Sequence, residues 1–194
     1  MAEATSAHGQ EMMISMEGAD RTDAILRLHG RLCARFDHVG ITIQARPYRT
    51  DVDLPRLLDR PGRIRLVKGA YAEPLATAHA RGTAGLREAY LRHAQTLLGS
   101  GHTCAIATHD PDLLDRIVGL AGAVGTAGRY EFETLLGLGD AVLDRLRSLG
   151  HPTREYVVFG DQWWLYTCNR LAEEPARLFQ ALVDAVVPTP PEPR

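Results

Sequence analysis

The chain has 194 residues, of which 45% are hydrophobic and 24% are charged, a composition typical of a soluble globular protein. This length predicts one well-buried domain, and the net charge of −2 gives no electrostatic reason to expect nucleic acid as a partner. No apolar run approaches the roughly 20 residues that span a bilayer, so no transmembrane segment is expected. Residues 1–12 also lack the basic and apolar parts of a signal peptide.

The cysteines indicate a reducing environment. Cys33, Cys104 and Cys168 are odd in number and far apart, and the sequence has no C-x-x-C pair. This pattern argues against a disulfide framework and against a structural zinc site. We therefore expect a cytoplasmic protein without a metal.

The first third of the chain alternates β-branched runs with helical repeats. An apolar repeat at 20–36 predicts a helix with Asp20 or Thr22 as its N-cap. Thr50 followed by Asp53 resembles a shortened capping box at the start of a second helix. In chain order the predicted elements are a strand at 12–15, a helix at 20–36, a strand at 39–45, a helix carrying Leu54, Leu57 and Leu58, and a strand at 63–68.

The rest of the chain continues the alternation. The glycines of 99–101 end a helix, and Asp110-Pro111 begins another with proline in its first turn. In chain order the predicted elements are a helix up to Leu98, a strand at 103–108, a helix from Asp110, a strand at 130–136, a helix ending at Gly150, a strand at 154–160, and helices at 163–173 and 176–187.

Strands alternating with helices predict an α/β fold with a parallel sheet and helical crossovers. No G-x-G-x-x-G follows the first strand, which argues against a dinucleotide-binding fold and favours a (β/α)8 TIM-like barrel. A complete barrel needs about 250 residues. We therefore expect an incomplete barrel of about six strands in one domain at 12–187, with disordered residues at 1–11 and a disordered proline-rich tail at 188–194.

Polar side chains cluster where the predicted strands end, which is where barrels bind their ligands. Arg65 lies inside a buried strand and needs a buried anionic or polar partner, which favours a functional over a structural role. Lys68 is the only lysine, and it could form a Schiff base, bind an anionic ligand, or simply be solvated. His109 lacks a serine nucleophile or a second histidine, so it is expected to donate a hydrogen bond while Asp110 caps a helix.

Six segments resemble the proline dehydrogenase family in that family's order. They are "ISMEGADRTDA" at 14–24, "VGITIQA" at 39–45, "RLVKGAY" at 65–71, "IATHD" at 106–110, "YEFETLLG" at 130–137 and "EYVVFGDQWWLYTCNRLAEEPARL" at 155–178. The resemblance implies a distorted (β/α)8 barrel, noncovalent FAD, and oxidation of L-proline to 1-pyrroline-5-carboxylate by hydride transfer to flavin N5. It also implies a quinone-type electron acceptor, which would suit peripheral attachment to the inner membrane.

The resemblance also implies roles for individual residues. Arg65 is expected to be catalytic, beside flavin N5. The other expected cofactor-binding residues are Met16, Gln44, Lys68, Gly69, Ala70, Thr108 and His109. The expected substrate-binding residues are Tyr71, Leu135, Tyr156, Tyr166, Asn169 and Arg170.

The sequence departs from the family at the substrate clamp. Two adjacent arginines of the family appear here as Asn169-Arg170, and the aspartate before "ME" is Ser15. The family's early strands, one of which carries its substrate-binding lysine, have no counterpart before residue 12. Two alternatives follow: an impaired, truncated homologue that acts as an interaction module with a partner chain covering the open sheet edges, and a Schiff-base aldolase that uses Lys68.

Overall fold

The computed structural model of the protein describes residues 1–124, 129–136, 140–158 and 160–161. The fold is that of Met1–Tyr156, which forms one compact unit. Its helices are α1 (Ala2–Ala7), α2 (Ala19–Cys33), α3 (Thr50–Leu58), α4 (Ala84–Ser100), α5 (Pro111–Val124) and α6 (Asp140–Ser148). Its strands are β1 (Met12–Ile14), β2 (Val39–Gln44), β3 (Ile64–Val67), β4 (Cys104–Ala107), β5 (Tyr130–Leu135) and β6 (Thr153–Tyr156).

Within the described residues, the strands form one six-stranded sheet in the order β1-β2-β3-β4-β5-β6. Every neighbouring pair is parallel, and a helix connects each strand to the next. This is the architecture of part of a (β/α) barrel, because β6 does not pair with β1 within the described residues. The prediction of an α/β half-barrel with about six strands is confirmed.

One face of the sheet, the outer face, is apolar and lies under helices α3 to α6. Ile41, Ile64, Leu66, Ile106 and Phe132 are each at most 1% exposed and belong to one hydrophobic core. Burying each such side chain contributes about 1.5–3 kcal/mol, so this layer is the main source of stability. The helices contribute Leu54, Leu57, Leu86, Tyr90, Leu97, Leu98, Leu113, Ile117, Leu143 and Leu146 to the same core.

The opposite face, the inner face, is charged. Side chains alternate along a strand and registered residues of parallel strands share a face, so every second residue of β3 to β6 points here. On β4 the inner-face residues are the small Ala105 and Ala107. On β3, β5 and β6 the inner-face residues are Arg65, Val67, Glu131, Glu133, Leu135, Arg154 and Tyr156, and Arg63 lies immediately before β3.

The N-terminal segment is ordered, so the expectation of disorder at 1–11 is wrong. Residues Ala2–Ala7 form α1, and Ala2 is buried. The Thr5 hydroxyl lies 3.0 Å from Nε2 of His38, which precedes β2. These contacts with a distant part of the chain order a segment whose own composition predicted no structure.

Two predicted N-caps are also wrong. Helix α2 begins after Gly18, which has no side chain to cap it. In α3, the Thr50 hydroxyl donates a hydrogen bond of 2.6 Å to the Gln44 carbonyl, and the Asp53 carboxylate accepts one of 2.6 Å from Arg49 Nε. Both side chains are therefore committed to partners other than the free N–H groups of the helix.

The other predicted boundaries agree more closely with the structure. Gly101 ends α4 with φ of 69°, a left-handed conformation that favours glycine. Asp110 Oδ1 accepts a hydrogen bond of 3.3 Å from the Leu113 amide and so caps α5, which begins at Pro111. Strand β6 ends at Tyr156, earlier than residue 160. The helices predicted at 163–173 and 176–187, and the tail at 188–194, lie outside the described residues.

Candidate functional site

The candidate site lies at the carboxyl ends of the strands, where Arg65 and Glu133 form an ion pair on the inner face. Arg65 Nε donates to Glu133 Oε1 at 2.6 Å, and Nη2 contacts the same oxygen. Glu133 is only 4% exposed. The pair extends across β4, and the small Ala105 and Ala107 leave room for it. The prediction that a buried strand arginine requires a buried anionic partner is confirmed.

Tyr156 provides a second contact for Arg65. The guanidinium carbon lies 4.9 Å from the centre of the Tyr156 ring. A cation over an aromatic face contributes about 0.5–2 kcal/mol, depending on solvent exposure. Arg65 is thus held between a carboxylate and a ring, as a cation that faces the carboxyl end of the inner face.

Lys68 is held by an anion at the end of β3. Its Nζ lies 2.7 Å from Asp110 Oδ2, and the same oxygen is 2.9 Å from an Nη atom of Arg87. Burial opposes ionisation of Asp110, but hydrogen bonds from Lys68 and the Leu113 amide, with the charges of Lys68 and Arg87, outweigh it and lower the carboxyl pKa. An ion-paired lysine is a cation, whereas a Schiff-base nucleophile must be a neutral amine, so this geometry disfavours the aldolase alternative.

Gly69 brings the loop after β3 against Gln44. Its φ is 109°, and a Cβ placed there would lie 2.9 Å from Gln44 Oε1 and 3.1 Å from Arg46 Cβ. Only glycine combines that backbone conformation with so close an approach. Gln44 is itself fixed, because its Nε2 donates a 2.9 Å hydrogen bond to the Glu17 carbonyl. Ala70 follows in the same loop, and its carbonyl accepts a hydrogen bond from Arg81.

The end of β4 contacts the end of β5. The Leu135 amide donates a 3.3 Å hydrogen bond to His109 Nε2, so His109 does bond to backbone, but as an acceptor rather than the expected donor. The Thr108 hydroxyl accepts a 3.2 Å hydrogen bond from the Asp110 amide and is buried. Thr108, His109 and Leu135 thus form one continuous rim.

The remaining predicted site residues lie in different surroundings. Met16 is 8% exposed and packs in the hydrophobic core. Tyr71 and Tyr156 are each 39% exposed, and the Tyr71 hydroxyl donates to a Glu17 carboxylate oxygen. Tyr166, Asn169 and Arg170 lie outside the described residues. The structure therefore brings together Arg65 with Tyr156, His109 with Leu135, and Gln44 with Gly69.

The amino-terminal end of the inner face carries a ring of four alternating charges, Glu11, Arg63, Glu131 and Arg154. Arg63 lies 2.9 Å from Glu11 and 3.4 Å from Glu131, and Arg154 lies 2.7 Å from Glu131 and 3.5 Å from Glu11. The hydrogen bond from Arg63 is the main reason that the pKa of Glu11 is lowered. Since Glu11 precedes β1 and Arg154 lies on β6, the ring connects the two edge strands.

The sequence alone indicated no specific role for Glu133 or for Arg46. A signal for Glu133 was present, because Arg63 and Arg65 are two residues apart, as are Glu131 and Glu133. Matching period-two charges on two strands indicate facing ion pairs on one side of a sheet. No comparable signal existed for Arg46, whose partners are backbone carbonyls.

Among the described residues, no helix is long and apolar enough to cross a bilayer. The sheet and the arrangement of side chains define the class of protein: a β/α half-barrel with paired charges and polar side chains on its inner face and near the carboxyl ends of its strands. Comparison with known proteins narrows this class. The family model described as "Proline dehydrogenase" matches residues 1–172. The chain belongs to the proline dehydrogenase family.

Individual relatives agree with that assignment. The chain is 33% identical to "Proline dehydrogenase 2" of Bacillus subtilis, over 88% of this chain and 56% of that protein. It is 32% identical to "Proline dehydrogenase" of Deinococcus radiodurans, over 87% of this chain and 55% of that protein. The chain thus spans about half the length of the curated relatives it matches.

Solved structures show the same fold. A bifunctional proline utilization A (PutA) protein superposes with a TM-score of 0.78 at 23% identity, covering 88% of this chain and 20% of that one. PutA from Bdellovibrio bacteriovorus gives a TM-score of 0.75 at 22% identity, covering 94% of this chain and 20% of that one.

Proposed function

We propose that the protein oxidises L-proline, or a related cyclic imino acid, to 1-pyrroline-5-carboxylate in the first step of proline catabolism. The observation that carries this proposal is the Arg65–Glu133 pair on the inner face, at the end of the sheet where barrels hold their ligands. Membership of the proline dehydrogenase family supports the substrate class. FAD is proposed as the cofactor because the resemblance to that family implies it. A quinone-type acceptor, and a cytoplasmic or peripheral inner-membrane location, complete the proposal.

The residues of the site suit a flavin. Arg65 and Lys68 offer cations, Gly69 allows close backbone approach, and Gln44 is already oriented by Glu17. Thr42 shares the inner face with Arg65, and its buried hydroxyl has no hydrogen-bond partner among the described residues. When bound, FAD would supply the hydride acceptor. Met16, Ala70, Thr108 and His109 complete the set that would hold it.

Arg65 is proposed to stabilise the negative charge that develops when the cofactor is reduced. A fixed cation at a site of developing charge lowers the barrier without reorganisation, and removing such a group costs about a hundredfold to a thousandfold in rate. Glu133 and Tyr156 hold the guanidinium in one orientation. The short contacts of Arg65 therefore serve positioning as well as charge compensation.

Tyr71, Leu135, Tyr156 and Tyr166 are proposed to wall the substrate pocket, with Arg170 gripping the carboxylate. Asn169 stands where the family has a second arginine. Loss of a charge-assisted hydrogen bond costs about 1.5–3 kcal/mol, which corresponds to roughly tenfold to a hundredfold weaker substrate binding. We therefore expect a high KM for proline rather than a low kcat.

A steady-state assay tests the proposal. FAD-loaded protein is given L-proline and a soluble quinone, and formation of the pyrroline product is measured. We expect proline-dependent quinone reduction, with a KM that falls in Asn169→Arg because the second cation is restored. Absence of product at saturating proline would contradict the proposed reaction.

A partner chain is a further part of the proposal. Within the described residues, β1 pairs only with β2 and β6 only with β5, so both edges have free backbone groups. A partner that covers these edges would be seen as a defined complex in analytical ultracentrifugation. If the partner is a second copy of this chain, a protein that stays monomeric at all concentrations would contradict this part of the proposal.

A further inference from the structure

Arg46 connects three distant backbone positions of one loop. This loop, residues 68–83, joins β3 to α4. The Arg46 side chain is buried, at 5% exposure. It donates to the carbonyls of Tyr71, Glu73 and His79, with Nε 2.9 Å from His79 O and Nη2 3.4 Å from Glu73 O.

The backbone of Arg46 binds the same loop at both ends. Its amide donates a 3.0 Å hydrogen bond to the Lys68 carbonyl, and its own carbonyl accepts one of 2.9 Å from the His79 amide. The side chain and backbone of Arg46 together therefore bind the loop at Lys68, Tyr71, Glu73 and His79. Ordering each residue of an irregular loop costs about 1–2 kcal/mol, and buried carbonyls must find donors, so a loop of this length needs such an anchor.

Two carboxylates also connect the loop to the segment at the start of α2. Glu73 Oε1 accepts a 2.8 Å hydrogen bond from the Ala19 amide at the start of α2. Glu17 accepts the hydroxyl of Tyr71. The Tyr71 ring is thus oriented by Glu17 at its hydroxyl and by Arg46 at its carbonyl.

We propose that Arg46 is a positioning residue that holds the β3–α4 loop in the conformation in which Lys68, Gly69, Ala70 and Tyr71 bind their ligands. The roles of those four residues rest on the proposed function. The anchoring of the loop rests on the hydrogen bonds of Arg46 and does not depend on the proposed function. A lysine could not replace it fully, because the planar guanidinium has five donors in a fork whereas an ammonium is a single point of charge.

Amide hydrogen exchange of the cofactor-free chain tests the anchoring. In Arg46→Met, we expect the loop amides of Thr77 and His79, which are both hydrogen-bonded, to exchange about tenfold faster or more. Amides of β4 should keep their wild-type rates. Arg46→Lys should fall between wild type and Arg46→Met. Unchanged loop exchange in Arg46→Met, or equally faster exchange in β4, would overturn the anchoring role.

Arg81→Met is the matched control. Arg81 also donates to a carbonyl of this loop, that of Ala70, but it is exposed and has no second loop partner among the contacts described. Its removal should leave the exchange of Thr77 and His79 within about twofold of wild type. An Arg81→Met effect as large as that of Arg46→Met would mean that any loop arginine suffices, and would overturn the special role of Arg46.

FAD titration, followed by flavin fluorescence, tests the link to function. Arg46→Met should weaken FAD binding about tenfold or more, with partial recovery in Arg46→Lys. Wild-type FAD affinity in a variant whose loop exchanges faster would overturn the positioning role. Failure of the wild-type protein to bind FAD would instead contradict the proposed function, and the exchange experiment would still decide the anchoring.

Discussion

The two ends of the inner face use the same residue types in different ways. At the amino-terminal end, Arg63 contacts two carboxylates and belongs to a closed ring of four charges. Closer to the carboxyl end, Arg65, the second residue of β3, contacts one carboxylate and the face of a tyrosine among the described residues. A ring in which every charge has two opposite neighbours suits structure, whereas an arginine with a single counter-charge can still attract a ligand.

The largest effect should come from Arg65→Met. Removing this cation should slow the reduction of bound flavin by proline about a hundredfold or more, because charge developing on the flavin would lose its fixed counter-charge. The measurement is anaerobic stopped-flow absorbance of the FAD-loaded protein.

Arg63→Met is the matched control, since Arg63 lies on the same face, two residues before Arg65 and immediately before the first residue of β3. Its flavin reduction should stay within about threefold of wild type. Its free energy of unfolding should fall by about 1.5 kcal/mol, because Glu11 loses the hydrogen bonds from Arg63 while Glu131 keeps Arg154 as a partner. Equal loss of reduction rate in both variants would contradict the functional division between the two ends.

A smaller effect is expected in the stability of the Arg65–Glu133 pair. Glu133→Gln removes the counter-charge and should lower the free energy of unfolding by about 2–3 kcal/mol, measured in urea without cofactor. The double variant Arg65→Met/Glu133→Met should be more stable than either single methionine variant, because no buried charge is left alone. Additive losses in this double-variant cycle would mean that the pair is not coupled.

The acid limb of the stability profile should depend on ion pairs at both ends of the inner face. The pKa values of Glu11 and Asp110 are both lowered in the folded protein. A lowered carboxyl pKa contributes stability above the unfolded value, about 3.9 for aspartate and 4.3 for glutamate, and this is lost as pH falls through the folded pKa. Stability should therefore fall below about pH 4, and less steeply in Asp110→Asn and in Glu11→Gln. Unchanged slopes would show that neither ion pair drives acid unfolding.

The smallest expected signal concerns Lys68. Because the Lys68 ammonium group is engaged in an ion pair with Asp110, treatment with borohydride and a carbonyl compound should trap no adduct on this residue. Mass spectrometry of the treated protein provides the measurement, and Asp110→Asn, in which the counter-charge is removed, is the sensitive comparison. A trapped adduct in the wild type would revive the aldolase alternative.

Local patterns in the sequence predicted much of the fold. The six strands, the parallel sheet, the Gly101 helix end and the Asp110 cap all follow from periodicity or from neighbours within a few residues. The cap of α2 did not, because the group that satisfies its first amide is the carboxylate of Glu73. No rule about neighbouring residues can identify a partner so far along the chain.

The candidate site could likewise be predicted only in part from neighbouring residues in the sequence. That Arg65 needs a buried anion followed from the cost of an unpaired buried charge. Which residue provides it depends on β4 lying between β3 and β5 with alanines on the inner face, and that is a property of the sheet. The role of Arg46 could not be predicted for a related reason, since its side-chain partners are backbone carbonyls and every residue has one.

The most direct test of the account is the visible absorption spectrum of the purified protein after FAD is added and the excess removed, and again after L-proline is added without oxygen. We expect the protein to retain flavin whose visible absorbance bleaches with proline, because hydride transfer reduces the ring. Failure to retain any flavin would contradict the claim that the carboxyl end of this half-barrel is a cofactor site.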